Sequence, residues 1–368
     1  MKIVPYQNEY RGAVERLNAR LEAAGSEWQF PTDAEPRGTD QLPVWLESFV
    51  AIEGEDVFGG YILKHQVFFL EGRPLEVGDL QLPLSLGQID STLSNVSAAL
   101  LFDIRSRSPL VYSLGLGSEE TQFAKLLQAA GWKHMTVPFY FSVKSPNRFA
   151  RSIRLRGRPL LQSAFRALGH LRLARLAFDL RRSLTRTPKS RPTPPAESEA
   201  RPIPRFDGFA DELFARHADV YSFVGDRRAS ALNSVYPTEE GRYIRLVVRK
   251  GEDVVGWAVV LDTQMRDDKY FGDMRVGTVA DSFAAPEDAP TVVQAADDFL
   301  TRRGVDIVVS NQLHPSWCDA LRSVGYEEGP SNFFFYFSEE LANELMAVPR
   351  WDQRLHVNRG DGEGPAHL

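Results

Sequence analysis

Short stretches in the first half of this chain return in the same order in the second half, at a nearly fixed distance. Asp56-Val57 and Gly59 recur as Asp253-Val254 and Gly256, and Val77-Gly78 recurs as Val276-Gly277. The segment from Leu126 to Trp132 is echoed by Leu321 to Tyr326, and Phe139-Tyr140-Phe141-Ser142 comes back unchanged as Phe335-Tyr336-Phe337-Ser338. All offsets fall between 194 and 199 residues. That period is far too long for a solenoid, so the text describes two copies of one domain. Whatever fold is adopted must be one that the chain can build twice.

A length of 368 residues with 43% apolar content leaves room for two cores of ordinary domain size, and each copy is expected to fold on its own. No stretch approaches the roughly 20 apolar residues of a spanning helix. The opening MKIVPYQNEYRG lacks the apolar run of a secretory signal, which points to a cytoplasmic protein. Cys318 is the single cysteine, which excludes an internal disulfide and a cysteine-rich zinc site. The seven histidines form no HxxxH or HxH pair, so no metal is expected.

The formal charge of −6 conceals a sharp asymmetry. Between Asn147 and Pro192 thirteen Lys or Arg face the single acid Asp179, a local +12 that leaves −18 on the remainder. A helical stretch is expected from near Pro159, a good first-turn residue, with Gly169 weakening its middle. Beyond it Leu173, Leu176, Ala177, Leu180 and Leu184 share one helical face, opposite Arg172, Arg175, Asp179 and Arg182. From Thr187 to Arg205 six prolines predict an extended spacer without regular structure. The resulting division is a first domain over 1–146, a basic helical segment and Pro-rich linker over 147–203, a second domain over 204–350 and a tail over 351–368.

Each copy reads alike. The first opens with a strand KIVPY and an amphipathic helix from Asn8 to Ala24, then strands at Leu46 to Ile52, Val57 to Leu70 and Leu75 to Leu84. A helix from Ser91 to Arg105, the strand LVYSLGL, a helix from Glu119 to Ala130 and the strand PFYFSV follow. The second gives strands at Tyr243 to Val248, Val254 to Leu261 and Met274 to Ser282, a helix ending at Arg303, the strand VDIVVSN, a helix through Trp317 and Leu321, and FFFYFS. Three strands, then helix, strand, helix, strand predict an α/β (α+β) mixed sheet carrying helices. The aromatic runs read as core strands.

This order, with the texts GGYILKHQ and PLSLGQID in the first half and VGTVADSFA, VSNQLHPSW and GPSNFFFYFS in the second, resembles the GNAT acyltransferase fold. The two halves together resemble tandem GNAT-type proteins of bacteria, distantly similar in architecture to FemAB-like transferases. The closing HVNRGDGEGP also resembles the tail of such proteins, although on its own the glycine and acid content reads as a flexible tail rather than a calcium site. The resemblance implies an enzyme that moves an acyl group from acetyl-CoA, or another CoA-type or carrier-bound thioester, to an amine on a small molecule, lipid or envelope glycan precursor. An aminoacyl-tRNA-dependent transferase and a noncatalytic scaffold of degenerate GNAT domains are the rival readings.

Members that use acetyl-CoA carry a glycine-rich loop whose N–H groups approach the pyrophosphate at a helix amino terminus. The corresponding text in the second half, Ala284 to Val292, places Glu287 and Asp288 there, the wrong charge for a phosphate. In the first half it is PLSLGQIDST, with Ser85, Gly87 and Gln88 as candidate cofactor contacts and a plain strand-to-helix turn as the competing reading. A donor is therefore expected in the first copy or between the copies. For chemistry, the resemblance singles out the strand ends of the second half: Asp281 as base or amine ligand, His314 as a group titrating near neutrality, and Asn311 to hydrogen-bond a pantetheine amide. Turn capping, strand-end placement and a loop position compete with these three roles. Cys318 beside Trp317 reads as packing rather than a nucleophile. The basic segment from Arg148 to Arg191 points to an anionic membrane surface at the inner membrane or to an acidic carrier, with docking against the acidic domains as the alternative, and nucleic acid is disfavoured by the lack of interleaved aromatics.

Overall fold

The computed structural model describes residues 1–34, 41–116, 120–154, 159–171, 173 and 198–362. The first half runs β1 (Lys2–Pro5), α1 (Arg11–Ala23), β2 (Trp45–Glu53), β3 (Asp56–Leu70), β4 (Arg73–Ser85), α2 (Ser94–Arg107), β5 (Val111–Leu114), α3 (Gln122–Ala129), β6 (Lys133–Thr136) and β7 (Phe139–Val143). Two short helices, α4 (Pro146–Ser152) and α5 (Pro159–His170), follow. The second half gives β8 (Ser198–Ile203), α6 (Gly208–His217), β9 (Phe223–Gly225), α7 (Ala229–Val235), β10 (Ile244–Lys250), β11 (Asp253–Gln264) and β12 (Arg275–Ala284). It continues with α8 (Ala289–Arg302), β13 (Ile307–Asn311), α9 (Pro315–Val324), β14 (Glu327–Gly329), β15 (Phe334–Phe337), α10 (Glu339–Met346) and β16 (Leu355–His356).

These strands make two mixed sheets. The first has the order β1-β2-β3-β4-β5-β15-β6, and the second β8-β10-β11-β12-β13-β7-β14. Position by position these seven-strand orders coincide, with a parallel ladder in the same place, β4 on β5 and β12 on β13, while off the path of the first sheet β16 pairs parallel with β9. The strand beyond that ladder has been traded. The aromatic β7 leaves the first half to lie between β13 and β14, and β15 leaves the second half to lie between β5 and β6. The two crossing segments touch, since Val137 N–H donates to the Phe333 carbonyl and Ser331 Oγ donates to the Val137 carbonyl at 2.6 Å. β9 adds to the exchange by pairing its three residues with Phe68 to Leu70 of β3.

Two expectations are corrected here. The segments 1–146 and 204–350 do not each complete a sheet, because each sheet takes its sixth strand from the other segment. The Pro-rich spacer ends in regular structure, because Ser198–Ile203 pairs along β10 as β8. Pro202 is tolerated there because β8 is an edge strand, where a missing N–H costs no ladder bond. Within the basic segment α5 starts at Pro159 as expected, but Gly169 is a contact point rather than a bend. A Cβ at Gly169 would lie 2.6 Å from Arg151 Cγ and 2.7 Å from the Asn147 carbonyl oxygen, so its absence lets α5 cross α4 closely. The expected face containing Leu176, Ala177, Leu180 and Leu184, with Arg172, Arg175, Asp179 and Arg182 opposite, lies outside the described residues.

The recurring glycines mark where a helix presses on its sheet. A Cβ at Gly59 would stand 2.6 Å from the Leu84 carbonyl and 3.2 Å from Leu100 of α2, and one at Gly256 would stand 2.5 Å from Val292 of α8. The recurring aromatics are core: Tyr140, Phe335, Tyr336 and Phe337 are all buried. Aromatic side chains on a pleated, two-sided surface contribute large buried area, which suits either sheet equally.

Candidate functional site

In each sheet the parallel ladder is short and its strands then part. β4 and β5 pair only through Gly78 with Val111 and Asp79 with Tyr112, while β4 runs on to Ser85. β12 and β13 pair from Val276 with Ile307 to Val279 with Ser310, while β12 runs on to Ala284. A serine spans each fork: Ser113 Oγ donates to the Leu80 carbonyl at 2.7 Å, and Ser310 Oγ to the Val279 carbonyl at 3.2 Å. Both longer strands are also irregular at this level. Leu82 sits at φ +43°, and the β11–β12 register skips Ala280 just before Asp281. Two clefts of one design result.

The second cleft is filled by the chain's own tail. Leu313 N–H donates to Val357, Gln312 bridges to Asn358, and Arg359–Asp361 form a 3-10 turn closed by a capping box between Asn358 and Asp361. Asn358, Gly360, Asp361 and Gly362 are buried, which corrects the expectation of a flexible tail up to that point, while residues 363–368 lie outside the described residues. Gly360 is pressed against Tyr236 and Asp281, where a Cβ would lie 2.7 Å from the Asp281 Cβ.

Around the tail runs a buried polar seam that joins the halves. Asp281, 1% exposed, accepts from Tyr236 Oη and Asn358 Nδ2, each at 2.8 Å, and from its neighbour Ser282 N–H, with Arg227 at 3.4 Å. Arg227 donates to Asp361 Oδ1 at 2.6 Å. The Asp361 carbonyl accepts from Lys64 Nζ at 2.9 Å and from Tyr112 Oη, and Lys64 lies 3.2 Å from Asp79. Burial opposes the charge of Arg227, and the carboxylates of Asp281 and Asp361 more than reverse that. The Asp281 carboxyl is pushed up by burial, with Arg227 pulling it back and Asp361 adding to the rise. A fully enclosed carboxyl with every face occupied clamps the tail, and a substrate amine has no approach to it here.

The other residues singled out in the sequence are placed as follows. His314 caps α9: its Nδ1 accepts from Ser316 N–H at 3.2 Å. Burial, with Arg354 adding to it, lowers His314 to about 4, which corrects the expectation of titration near neutrality. Asn311 is buried, donates to the Pro138 carbonyl and accepts from Arg359 at 3.0 Å, so the tail occupies the contact foreseen for a pantetheine amide. In the first half Ser85 Oγ accepts from Gly87 N–H at 2.9 Å and from Ser97 Oγ, Gln88 Nε2 donates to the Pro83 carbonyl, and Ile89 and Asp90 N–H close on Leu86. This loop spends those donors on itself. Asp90 caps the following 3-10 turn, and the first turn of α2 carries no acid. Glu287 and Asp288 sit in the 3-10 turn ahead of α8, as the sequence implies. Cys318 is buried with its thiol on the Gln312 carbonyl, and burial raises its pKa.

Sequence reading missed Arg227, Lys64, Tyr112, Tyr236 and Asp361. Only the self-similarity of Ser113 and Ser310, each flanking its fork, carried a signal for the clefts. A separate cavity of about 610 Å³ opens beside Glu212, Arg216, Glu252, Asp253 and Asp288 and shares no residue with the seam. Its carboxylates make it unsuited to phosphate.

No protein-family model matches this sequence, and no curated protein does. Solved structures match in fold. One is a conserved protein of Enterococcus faecalis V583 described as a probable N-acyltransferase, with a TM-score of 0.52 at 9% identity over 94% of this chain and 74% of that one. Another is N-myristoyltransferase of Saccharomyces cerevisiae with bound myristoyl-CoA, at 0.51 and 9% over 91% of this chain and 82% of that one. A third is the glucosamine N-acetyltransferase region of a fungal multi-domain β-N-acetylglucosaminidase, at 0.50 and 14% over 91% of this chain and 38% of that one. The likeness defines the class of fold: two mixed sheets with helices, as in GNAT-like acyltransferases.

Proposed function

We propose that this chain is an N-acyltransferase that takes its acyl group from a CoA thioester, with the donor in the cleft between β4 and β5. The observation that carries this reading is the inequality of two clefts of one design. The second is stoppered by Asn358 to Asp361 and fronted by Glu287 and Asp288 in the 3-10 turn ahead of α8, whereas the first, which the tail meets where Gly362 reaches Leu114, leads to α2 through a 3-10 turn whose one acid is its cap, Asp90. A helix start with few acids favours a phosphate through its N–H groups and dipole. The shared fold with a myristoyl-CoA-bound enzyme supports the donor class. The acceptor is an amine of a small molecule, a lipid or an envelope glycan precursor, and the tandem GNAT-type arrangement is part of the same reading.

Titration calorimetry with acetyl-CoA and myristoyl-CoA tests it. Asn95→Asp adds a negative charge to the exposed first turn of α2, a place where acids stabilise the helix itself. Donor affinity is expected to fall about tenfold, as for ~1.4 kcal/mol of lost phosphate attraction, with thermal stability unchanged or slightly raised. Absence of binding by the unaltered protein overturns the reading. It would favour a noncatalytic scaffold, which the internally satisfied Ser85–Gly87 turn also fits.

A further inference from the structure

The bridge between the halves presents a surface that neither cleft uses. α5 turns Phe165 and Gly169 onto α4 and its neighbours, while Leu161, Leu168 and Leu171 stand 42%, 36% and 66% exposed, with Leu173 just beyond at 43%. Leu161, Ala164, Leu168 and Leu171 follow the i, i+3, i+7 and i+10 spacing of a single helical stripe. Leaving two leucines of one short helix and a third just past its end in water forfeits burial that the chain could have obtained by packing the helix the other way round. At about 100° per residue Arg166 falls across the helix from the stripe and His170 on the same polar side, and Arg151 of α4 lies where the two helices cross. From Asn147 to Phe178 the sequence carries eight arginines and no acid. Arg148 and Arg154 already pair with Asp306 and Asp267, which fastens this basic element to the second half.

We infer that α4 and α5 form a docking surface for an anionic lipid bilayer, with α5 lying in the plane of the headgroups. The pattern is that of an interfacial helix: an apolar stripe that enters the headgroup boundary, with cations on the polar side of α5 and on α4 for the acidic lipid heads. At 12 residues α5 is about 18 Å long, enough to lie flat and too short to span. Charge complementarity selects an anionic partner, and the leucines select a bilayer over RNA, since Phe165, the aromatic of this helix, is packed inward where no base can stack on it. The inference stands apart from the acyltransferase reading, because no residue of either cleft takes part.

The test is co-sedimentation of the full chain with vesicles of phosphatidylcholine and phosphatidylglycerol, and with vesicles of phosphatidylcholine alone. Retention is expected on the acidic vesicles at low salt, falling as the Debye length shortens, and to be several-fold weaker on the neutral ones. Arg151→Gln and Arg166→Gln are each expected to lower partitioning about fivefold. Leu168→Asp with Leu171→Asp is expected to lower it by about tenfold or more, with an unaltered melting curve because both side chains are exposed. Failure of the unaltered protein to bind acidic vesicles at low salt overturns the proposal. So does full retention by the double leucine variant, which would leave simple electrostatic adsorption. Binding of an RNA oligonucleotide without binding to vesicles overturns it as well.

Discussion

Among the described residues Arg227 is the one cation within reach of both Asp281 and Asp361, and all three are buried. Removing one partner of a buried ion network leaves the others as uncompensated charges, which costs about 3–5 kcal/mol. Arg227→Met is therefore expected to lower the unfolding free energy by that amount, read from urea denaturation. Gly360→Ala acts through shape, since its Cβ would meet Tyr236 and Asp281. Overpacking of this kind costs about 1–3 kcal/mol, and limited proteolysis should then cut the tail where it resists in the unaltered protein. The two buried histidines of this region give a pH signature. Burial lowers His314 to about 4 and His356 well below its ordinary value, so the unfolded chain binds protons that the folded one refuses. Stability is then full above about pH 6.5 and declines as pH falls toward 4, by ~3 kcal/mol for His314 alone. Asp281 works in the opposite sense, because its raised pKa gains stability on protonation. His314→Asn keeps a good cap without the titration. Its unfolding midpoint should fall less steeply between pH 6.5 and 4 than that of the unaltered protein.

Among the elements, the hairpins and forks were legible and the exchange of β7 with β15 was not. Alternating apolar text located β2 to β4 and β10 to β12 within a few residues, and glycines recurring at one offset marked the places where α2 and α8 press on their sheets. The exchange escaped notice because Phe139 to Ser142 and Phe335 to Ser338 are the same four residues. A sheet that accepts one copy accepts the other, and adjacency in sequence is the default assumption for strand pairing. Asp361 was hidden for a different reason, since its partners Lys64 and Arg227 lie 297 and 134 residues away along the chain. The short strands β6, β9, β14 and β16 have two to four residues each, too few for a period to show. The exchange makes a firm prediction for fragments. A piece ending at residue 146 lacks β15 and should not fold alone, whereas pieces cut between residues 180 and 190 and produced together should associate. Gel filtration and circular dichroism of the separate and joint products check this, and a folded, monomeric first fragment would contradict it.

For the molecule as a whole, two sheets that each hold a strand of the other cannot melt independently. Calorimetry should show one transition with equal calorimetric and van't Hoff enthalpies rather than two peaks, despite a length at which separate domains usually melt apart. The traded strands also set a timetable for synthesis. As the chain leaves the ribosome, β5 and β6 emerge with a gap between them that Phe334–Phe337 fills in the finished fold. Thr136 must wait for Phe334, almost two hundred residues later, which at ~5–20 residues per second is on the order of ten seconds or more. Throughout that interval the nascent chain carries open strand edges on β5 and β6 and the spare aromatic strand β7, the combination most prone to pair with the wrong neighbour.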